Sequence, residues 1–409
     1  MALAAPAPQA TPSAYQSGTA AVVAPGNVGD LYVPALARHG WSSIAVTMPG
    51  AHRPSDTVGY RRVLTHHGSL CRTAAHLSRL EVRAVLAGSA AGIVLADRLA
   101  SHLRLPGNDP DDIRLDTGLT SATLLNSGIT APRGIRTRRL HNALKWAAFT
   151  QVSELILEHP DPAHSAPGYY CRTPTDIRSA WQHLQRSGDQ PFVLREHLPG
   201  TPYRIHTLTG PGPDGSTDHT ITSIWSEIRT PGQQVCRADL LSRQGLLSRA
   251  LALYMMRALT ALGVRYGPAR AAVTFIPDRG PALLSLRTDP HADFATEVLR
   301  RATGHDPIRD TVLLLTTGQR YEAAQRRSAH ATKVALLPQH NGALDPALLH
   351  TIVSLPTVAA TTPLHPEAPV WAGRAAGWIL LVADDSGAVQ DDYQVIRAAE
   401  RIGLYGGLA

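Results

Sequence analysis

The hydrophobic positions of residues 18–108 alternate between short apolar runs and longer amphipathic stretches. The runs predict strands and the amphipathic stretches predict helices, because side chains repeat every two residues in a strand and about every 3.6 in a helix. The predicted strands are 20–24, 43–47 and 82–86, and the predicted helices are 31–39 and 70–80. Such alternation favours a parallel sheet covered by helices. We therefore assign an N-terminal α/β domain to 18–112, after an Ala/Pro-rich, disordered leader over 1–17.

Beyond the Pro-, Gly- and Asp-rich stretch 106–112, the pattern mixes helices with alternating strands. The predicted helices are 119–126, 140–149, 174–185, 246–262 and 393–402. The predicted strands are 154–158, 169–172, 192–197, 202–208, 219–228, 271–276, 283–287 and 377–383. We divide this part of the chain into a small lobe over 113–190, a large lobe over 191–305 and a C-terminal α+β module over 306–409.

The composition narrows the class of protein. An apolar content of 44% is that of a globular chain, and no run reaches the roughly 20 apolar residues that span a membrane. The formal net charge is +7, but the basic residues are almost all arginine, their clusters are short and aromatics make up only 5%. We therefore expect no membrane and no nucleic-acid partner. Cys71, Cys171 and Cys236 lie too far apart in sequence for a disulfide framework or a zinc site, which favours a cytoplasmic location.

Six motifs occur in one order along the chain. They are Ala-Gly-Ser-Ala-Ala-Gly-Ile-Val-Leu-Ala-Asp-Arg-Leu at 87–99, Ser-Gly-Ile-Thr-Ala-Pro-Arg at 127–133, Val-Leu-Arg-Glu-His-Leu-Pro-Gly-Thr-Pro-Tyr at 193–203, Leu-Gly-Val-Arg-Tyr-Gly-Pro-Ala at 262–269, Arg-Ala-Thr-Gly-His-Asp at 301–306 and Asp-Asp-Tyr-Gln-Val-Ile-Arg at 391–397. Together they resemble the ATP-grasp carboxylate–amine ligases. The resemblance implies an ATP-grasp-like fold, with a parallel α/β domain, two lobes that grip ATP and a C-terminal module.

The resemblance also implies cations that this chain lacks. The family places one lysine after an aspartate, where this chain has Asp116 and Thr117, and a second lysine at the end of a strand, where it has Glu158. A carboxylate facing a triphosphate reverses the charge that binding needs. Of the two lysines in the chain, Lys145 is predicted to lie on a helix and Lys333 in the C-terminal module, so neither is expected to substitute.

The Mg²⁺ carboxylates of the family are missing as well. Ala272 and Ser285 stand where two glutamates are expected, while Arg287 and Asp289 replace an asparagine and an arginine. Alanine cannot bind a metal, and a serine hydroxyl is a poor ligand for a hard dication. The phosphate-covering loop, 163–168, also carries a proline in place of a backbone donor. We therefore expect no metal site and no cofactor.

The candidate site consists of the residues that stand at or near the positions of the missing lysines and carboxylates. The resemblance places Glu158, His164, Arg195, Glu196, Arg270 and Arg287 in the former nucleotide cleft, as substrate-binding candidates. The catalytic candidates are His159, His291 and Asp289, because a histidine with a pKa near 6.5 can act as acid or base. The same histidines fit surface loops in a chain that has 19 of them. Glu196 is either a remnant of the adenine and ribose contacts or a solvated charge at a strand end.

Three functions follow from these residues. The first is a diverged ATP-grasp-like protein that acts without ATP in specialised small-molecule or peptide biosynthesis, as a repurposed enzyme on an amino-acid-derived or other small substrate, or as a non-catalytic partner of an active homologue. The second is an active ligase that uses ATP and Mg²⁺ and binds phosphate through Arg195, Arg270 or Arg287. The third, an α/β-hydrolase with Ser89 as nucleophile, has alanine where its motif needs glycine. The family resemblance also predicts a homodimer.

Overall fold

The computed structural model describes residues 17–26, 28–49, 58–161, 168–186, 188, 190–212, 214–291, 294–319, 329–366 and 368–406. Most of the predicted leader, residues 1–16, lies outside them. The N-terminal domain is built from strands β1 (Thr19–Val23), β2 (Ser42–Thr47), β3 (Arg62–Thr65) and β4 (Val82–Ala87), with helices α1 (Tyr32–Ala37), α2 (Leu70–Arg79) and α3 (Ile93–His102). The strands pair in the order β3-β2-β1-β4, all parallel, so the predicted parallel sheet is confirmed.

Strand β1 explains why this sheet forms. All five of its residues are buried, because one set of side chains packs toward α2 and α3 and the alternate set packs toward α1. The small-residue turn after β4 brings α3 against β1. A Cβ at Gly92 would lie 2.2 Å from the Val23 carbonyl oxygen, so the backbones can approach this closely only with glycine.

The small lobe is an antiparallel sheet with helices packed on it. It contains strands β5 (Gly134–Thr137), β6 (Leu155–Glu158), β7 (Tyr169–Cys171) and β8 (Phe192–Glu196), and helices α4 (Thr117–Asn126), α5 (Leu140–Thr150) and α6 (Pro174–Gln185). Thr173 and Asp176 form a capping box at the start of α6, which fixes that helix at its predicted first residue. The sheet order is β5-β8-β6-β7, so β8 pairs with small-lobe strands although the sequence assigned it to the large lobe.

The large lobe is formed by long antiparallel strands and one long helix. Its elements are β9 (Thr201–Pro211), β10 (Thr217–Arg229), β11 (Val235–Leu240), α7 (Leu246–Ala261), β12 (Gly267–Ile276) and β13 (Gly280–Arg287). Helix α7 covers one face of this sheet, where Leu251 and Met255 pack against apolar strand residues such as Ile205 and Ala271. Alternate residues of the same strands face the other side, and many of them are polar.

The C-terminal part adds elements to this sheet. Its elements are α8 (Thr296–Thr303), α9 (Pro307–Thr317), β14 (His330–Leu336), β15 (Gly342–Leu344), α10 (Pro346–Val353), β16 (Val358–Thr361), β17 (Pro369–Val370), β18 (Gly377–Ala383), α11 (Ser386–Ile402) and β19 (Tyr405–Gly406). Strands β14, β18 and β16 extend the large sheet, whose order is β13-β12-β9-β10-β11-β14-β18-β16. The sheet therefore runs across the predicted boundary at residue 305.

A buried ion pair ties the domains together. Arg114 is 1% exposed, and its guanidinium donates to Asp97 of α3 at 2.6 Å, to the Asp109 carbonyl at 2.6 Å and to the Leu262 carbonyl at 3.2 Å. Burial raises the pKa of Asp97, and Arg114 opposes that shift. These contacts hold the N-terminal domain against the end of α7, so the large-lobe sheet has a fixed position relative to it.

Candidate functional site

The two positions where the resemblance expects lysine lie side by side. The Thr117 hydroxyl donates to Glu158 Oε1 at 3.2 Å. Arg195, from the neighbouring strand β8, donates to both Glu158 oxygens through Nε at 2.9 Å and Nη2 at 3.0 Å. Because this bidentate ion pair is largely buried, it satisfies the groups that a phosphate would otherwise meet.

Glu196 follows directly on Arg195 and also carries a structural ion pair. It is 3% exposed, so it is not the solvated charge that one interpretation of the sequence foresaw. It accepts hydrogen bonds from the Arg133 backbone at 2.9 Å, from the Arg133 guanidinium at 3.0 Å and from Arg279 at 3.1 Å. Burial opposes its ionisation, but the hydrogen bonds from Arg279 and Arg133 outweigh burial and hold the pKa of Glu196 below its ordinary value.

Strand register aligns the polar residues of the large sheet on the side opposite α7. One cross-strand row joins Arg287, Arg270, His206 and Ser223. The next joins Ser285, Ala272, Arg204 and Trp225. Residues directly opposite each other on paired strands share one side of a sheet. We call this side of the large sheet the polar face.

The polar face brings four of the predicted site residues together. Arg287 donates to both oxygens of Asp289 at 3.1 and 2.9 Å, and Arg270 Nη2 lies 3.8 Å from the same carboxylate. Arg270 Nη1 lies 2.7 Å from His291 Nδ1. A guanidinium can only donate, so His291 Nδ1 is the acceptor and the imidazole proton sits on Nε2. The predicted catalytic residues Asp289 and His291 are thus linked through Arg270.

Two predicted site histidines lie elsewhere. His159 follows β6 in the small lobe, where its Nδ1 accepts the Asp161 backbone N–H at 3.0 Å. That contact is the local turn typical of a surface loop. His164 lies outside the described residues. The structure therefore places His291 and Asp289 on the polar face and His159 just after the end of β6 in the small lobe.

Lys333 belongs to the site although the sequence gave no sign of it. It was assigned to a separate C-terminal module, but β14 joins the large sheet and pairs Lys333 with Ala238 of β11. The Lys333 ammonium lies 4.4 Å from the centre of the Trp225 ring and is 6% exposed, so its charge stacks on the aromatic face. Trp225 in turn donates to the Ser223 hydroxyl at 3.1 Å. Lys333 reaches the site through the pairing of β14 with β11, two strands that are far apart in the sequence.

A cavity of about 340 Å³ lies on the polar face. Its lining includes four cations, Arg204, Arg270, Arg287 and Lys333. The remaining lining residues are Trp225, Glu227, Val235, Ala238, Ser285, His291 and Trp378. Glu227 is held by Arg204 at 3.2 Å and by Arg229. The cavity is therefore lined by more positive than negative charge, with the indoles of Trp225 and Trp378 in its wall.

The polar face has no carboxylate at the two positions where the resemblance expects Mg²⁺ ligands. Ala272 and Ser285, at the expected carboxylate positions, are direct cross-strand partners, so they share one spot beside Arg204. A cation next to an alanine and a hydroxyl repels a metal ion where the chemistry would need one. Among the described residues, no group of three or more His, Cys, Asp or Glu side chains is arranged to hold a metal.

The α/β-hydrolase interpretation finds no matching geometry. Ser89 has φ −154° and ψ 174°, an extended conformation, and its hydroxyl donates to the Ala24 carbonyl at 2.7 Å. A nucleophile elbow needs a sharp, strained turn that presents the hydroxyl.

No helix in the described parts of the chain is both long and apolar enough to cross a membrane.

Comparison with solved structures identifies the fold. An L-amino acid ligase from Bacillus licheniformis matches with a TM-score of 0.74 at 13% identity, over 93% of this chain and 97% of that one. An N5-carboxyaminoimidazole synthetase from Staphylococcus aureus, complexed with ADP, matches with 0.67 at 12%, over 94% and 98%. A carboxyaminoimidazole ribonucleotide synthase from Aspergillus clavatus, complexed with ATP, matches with 0.69 at 13%, over 94% and 99%. No protein-family model and no curated protein sequence matches the chain. The chain has the ATP-grasp fold, as its motifs predict.

Proposed function

We propose that this protein is a diverged member of the ATP-grasp fold that acts without ATP and binds a small anionic molecule on the polar face. The observation that carries the proposal is the ion pair of Glu158 with Arg195. Glu158 places a carboxylate where a phosphate-binding lysine is expected, and Arg195 neutralises that carboxylate. A triphosphate would have to break this pair and would then face Glu158, which costs several kcal/mol at a partly desolvated site.

The charge of the cavity supports an anionic ligand. Its lining carries four cations, Arg204, Arg270, Arg287 and Lys333, and one carboxylate, Glu227. A cleft lined mainly by one sign of charge attracts ligands of the opposite sign. A carboxylate or a similar compact anion placed there would form charge-assisted hydrogen bonds with these cations.

One observation favours the alternative of an ATP-dependent amide ligase, namely the arginines of the polar face. Arginine binds phosphate well through paired donors. However, Arg287 and Arg270 already hold Asp289, and Ala272 and Ser285 provide no carboxylate for a metal. The ligase alternative therefore needs a metal site that Ala272 and Ser285 do not supply, whereas a compact anion on the polar face needs no metal.

The wider role is also a proposal. We infer a function in specialised small-molecule or peptide biosynthesis, in the cytoplasm, as a homodimer or together with an active homologue. A small or amino-acid-derived carboxylate suits the size and charge of the cavity. The acid–base equipment near it, His291 beside Arg270, allows an enzyme as well as a binding partner.

Calorimetric titration of the purified chain tests this proposal. We expect no heat of binding with Mg²⁺-ATP at millimolar concentration and saturable binding of citrate, used as a carboxylate probe. Arg287→Met should weaken citrate binding, while Arg178→Met, on an exposed face of α6, should not. Micromolar binding of Mg²⁺-ATP would overturn the proposal and restore the ligase. Citrate binding that is equal in both variants would rule out the polar face as the anion site.

A further inference from the structure

A second, smaller cavity lies at the end of the polar face, beneath helices α8 and α9. Its volume is about 50 Å³, enough for a group of a few heavy atoms, since one water needs roughly 10–15 Å³ by this measure. It shares Trp225, Arg270, His291 and Lys333 with the larger cavity, so the two adjoin. We call it the inner chamber. A ligand bound in the larger cavity could therefore extend one end into it.

His305 and Asp310 form a buried pair in the wall of the inner chamber. His305 Nδ1 lies 2.9 Å from Asp310 Oδ2, and the two residues are 5% and 2% exposed. The chain arrangement fixes this pair. Gly304 ends α8 in a left-handed conformation and Asp306 caps α9, so His305 lies in the junction and Asp310 in the first turn that follows. The position is built by two helix ends and not by a mobile loop.

The hydrogen bond fixes how the two side chains are oriented. With Asp310 ionised, His305 Nδ1 must donate to Asp310 Oδ2, because a carboxylate only accepts. The other carboxylate oxygen, Oδ1, is then the atom that can accept from a ligand. Burial raises the pKa of Asp310, while the hydrogen bond from His305 opposes that shift.

One further atom in the wall indicates what the chamber would hold. Asp310 Oδ1 is buried and has no hydrogen-bond partner within the described part of the chain. A buried acceptor of this kind is costly unless a donor meets it. The other carboxylate in the wall, Asp289, is already paired with Arg287 and Arg270, so the cations Arg270 and Lys333 disfavour an ammonium group there. A neutral donor, a hydroxyl group, fits both conditions.

We propose that the inner chamber binds a hydroxyl group of the ligand, which donates a hydrogen bond to Asp310 Oδ1 beside His305. Where the larger cavity holds a carboxylate, which rests on the proposed function, the ligand is a small hydroxy acid. The hydroxyl site itself requires no anion in the larger cavity.

Nuclear magnetic resonance on the full chain, with ¹⁵N-labelled histidine, tests the inner chamber. Methanol is the probe, because it carries a hydroxyl and no charge, and methylammonium chloride is the comparator. The His305 signal is assigned by its loss in His305→Gln. We expect the Nδ1–H form and a saturable shift of this signal with methanol, but little response to methylammonium. Asp310→Asn should abolish the response, while Asp306→Asn, which keeps a good helix cap, should retain it.

The outcomes separate the two proposals. A His305 signal that methanol leaves unchanged in the wild-type chain would overturn the hydroxyl site, whether or not any variant folds. The same would hold for a response that persists in Asp310→Asn, or for one in which methylammonium acts as strongly as methanol. Citrate binding in the larger cavity is measured independently, so its absence would refute the proposed function and leave the methanol result standing.

Discussion

Replacing Glu158 by glutamine should destabilise the small lobe markedly. The change keeps the shape of the side chain but removes the charge that Arg195 meets through two hydrogen bonds. Breaking a fully buried ion pair from one side costs about 3–5 kcal/mol. Since the two side chains are still 17% and 10% exposed, water recovers part of that loss, and we expect about 2–3 kcal/mol. Arg195→Met should cost a similar amount.

The double variant, Glu158→Gln with Arg195→Met, is the decisive comparison. It leaves no uncompensated charge, so we expect a loss of only about 1 kcal/mol, and a coupling energy of about 3–5 kcal/mol between the sites. Urea unfolding, followed by tryptophan fluorescence and circular dichroism, measures these differences. The exposed pair of Arg172 with Glu154, beside the same sheet, is the matched control, and Glu154→Gln should cost much less than Glu158→Gln. Additive single changes, or equal costs at Glu154 and Glu158, would refute the buried-pair reasoning.

Three further predictions concern other parts of the molecule. Glu196→Gln should cost about 1–2 kcal/mol at pH 7. The folded pKa of Glu196 lies below its ordinary value of 4.5, so its contribution to stability is present above pH 4.5 and should vanish as the pH falls through the folded pKa. A difference in unfolding free energy between wild type and variant that does not change with pH would contradict this prediction. Lys333→Met should weaken citrate binding roughly tenfold in calorimetry, a loss of about 1.4 kcal/mol, and an equal loss in the exposed Lys145→Met would argue against a local role. Arg114→Met should lower the free energy of unfolding by about 3–5 kcal/mol, since it strands Asp97 in the domain junction; a melting temperature close to that of the wild type would show that Asp97 is neutralised instead.

The sequence predicted the fold because the motifs depend on local requirements. Gly92 is needed because α3 starts directly against the backbone of β1 at Val23. The capping residues Thr173 and Asp176 start a helix without any distant partner. Hydrophobic periodicity placed most strands of the first three lobes within a few residues. It missed β3 (Arg62–Thr65), β5 (Gly134–Thr137) and β11 (Val235–Leu240). The first two have only four residues each, and the burial of β11 does not alternate cleanly, because that strand is paired on both edges and is only partly covered.

The candidate site was predicted only in part. The family resemblance located Arg270, Arg287, Asp289 and His291, which lie in or just after one hairpin, and the structure brings them together. It could not show that Glu158 is neutralised by Arg195, since the pairing of β6 with β8 joins residues that are 37 positions apart. The roles proposed for His159 and His164 stay predictions.

The sequence by itself determined the ATP-grasp architecture and the loss of the expected lysines and carboxylates, because both are properties of residue types at motif positions. Only the tertiary structure decided what took their place. Lys333 reaches the polar face because β14 pairs with β11 across almost a hundred residues, and His305 meets Asp310 because two helix ends adjoin. The charge of a site is a sum over side chains from distant strands, and that sum is fixed by strand pairing and domain packing, which leave no local mark in a sequence.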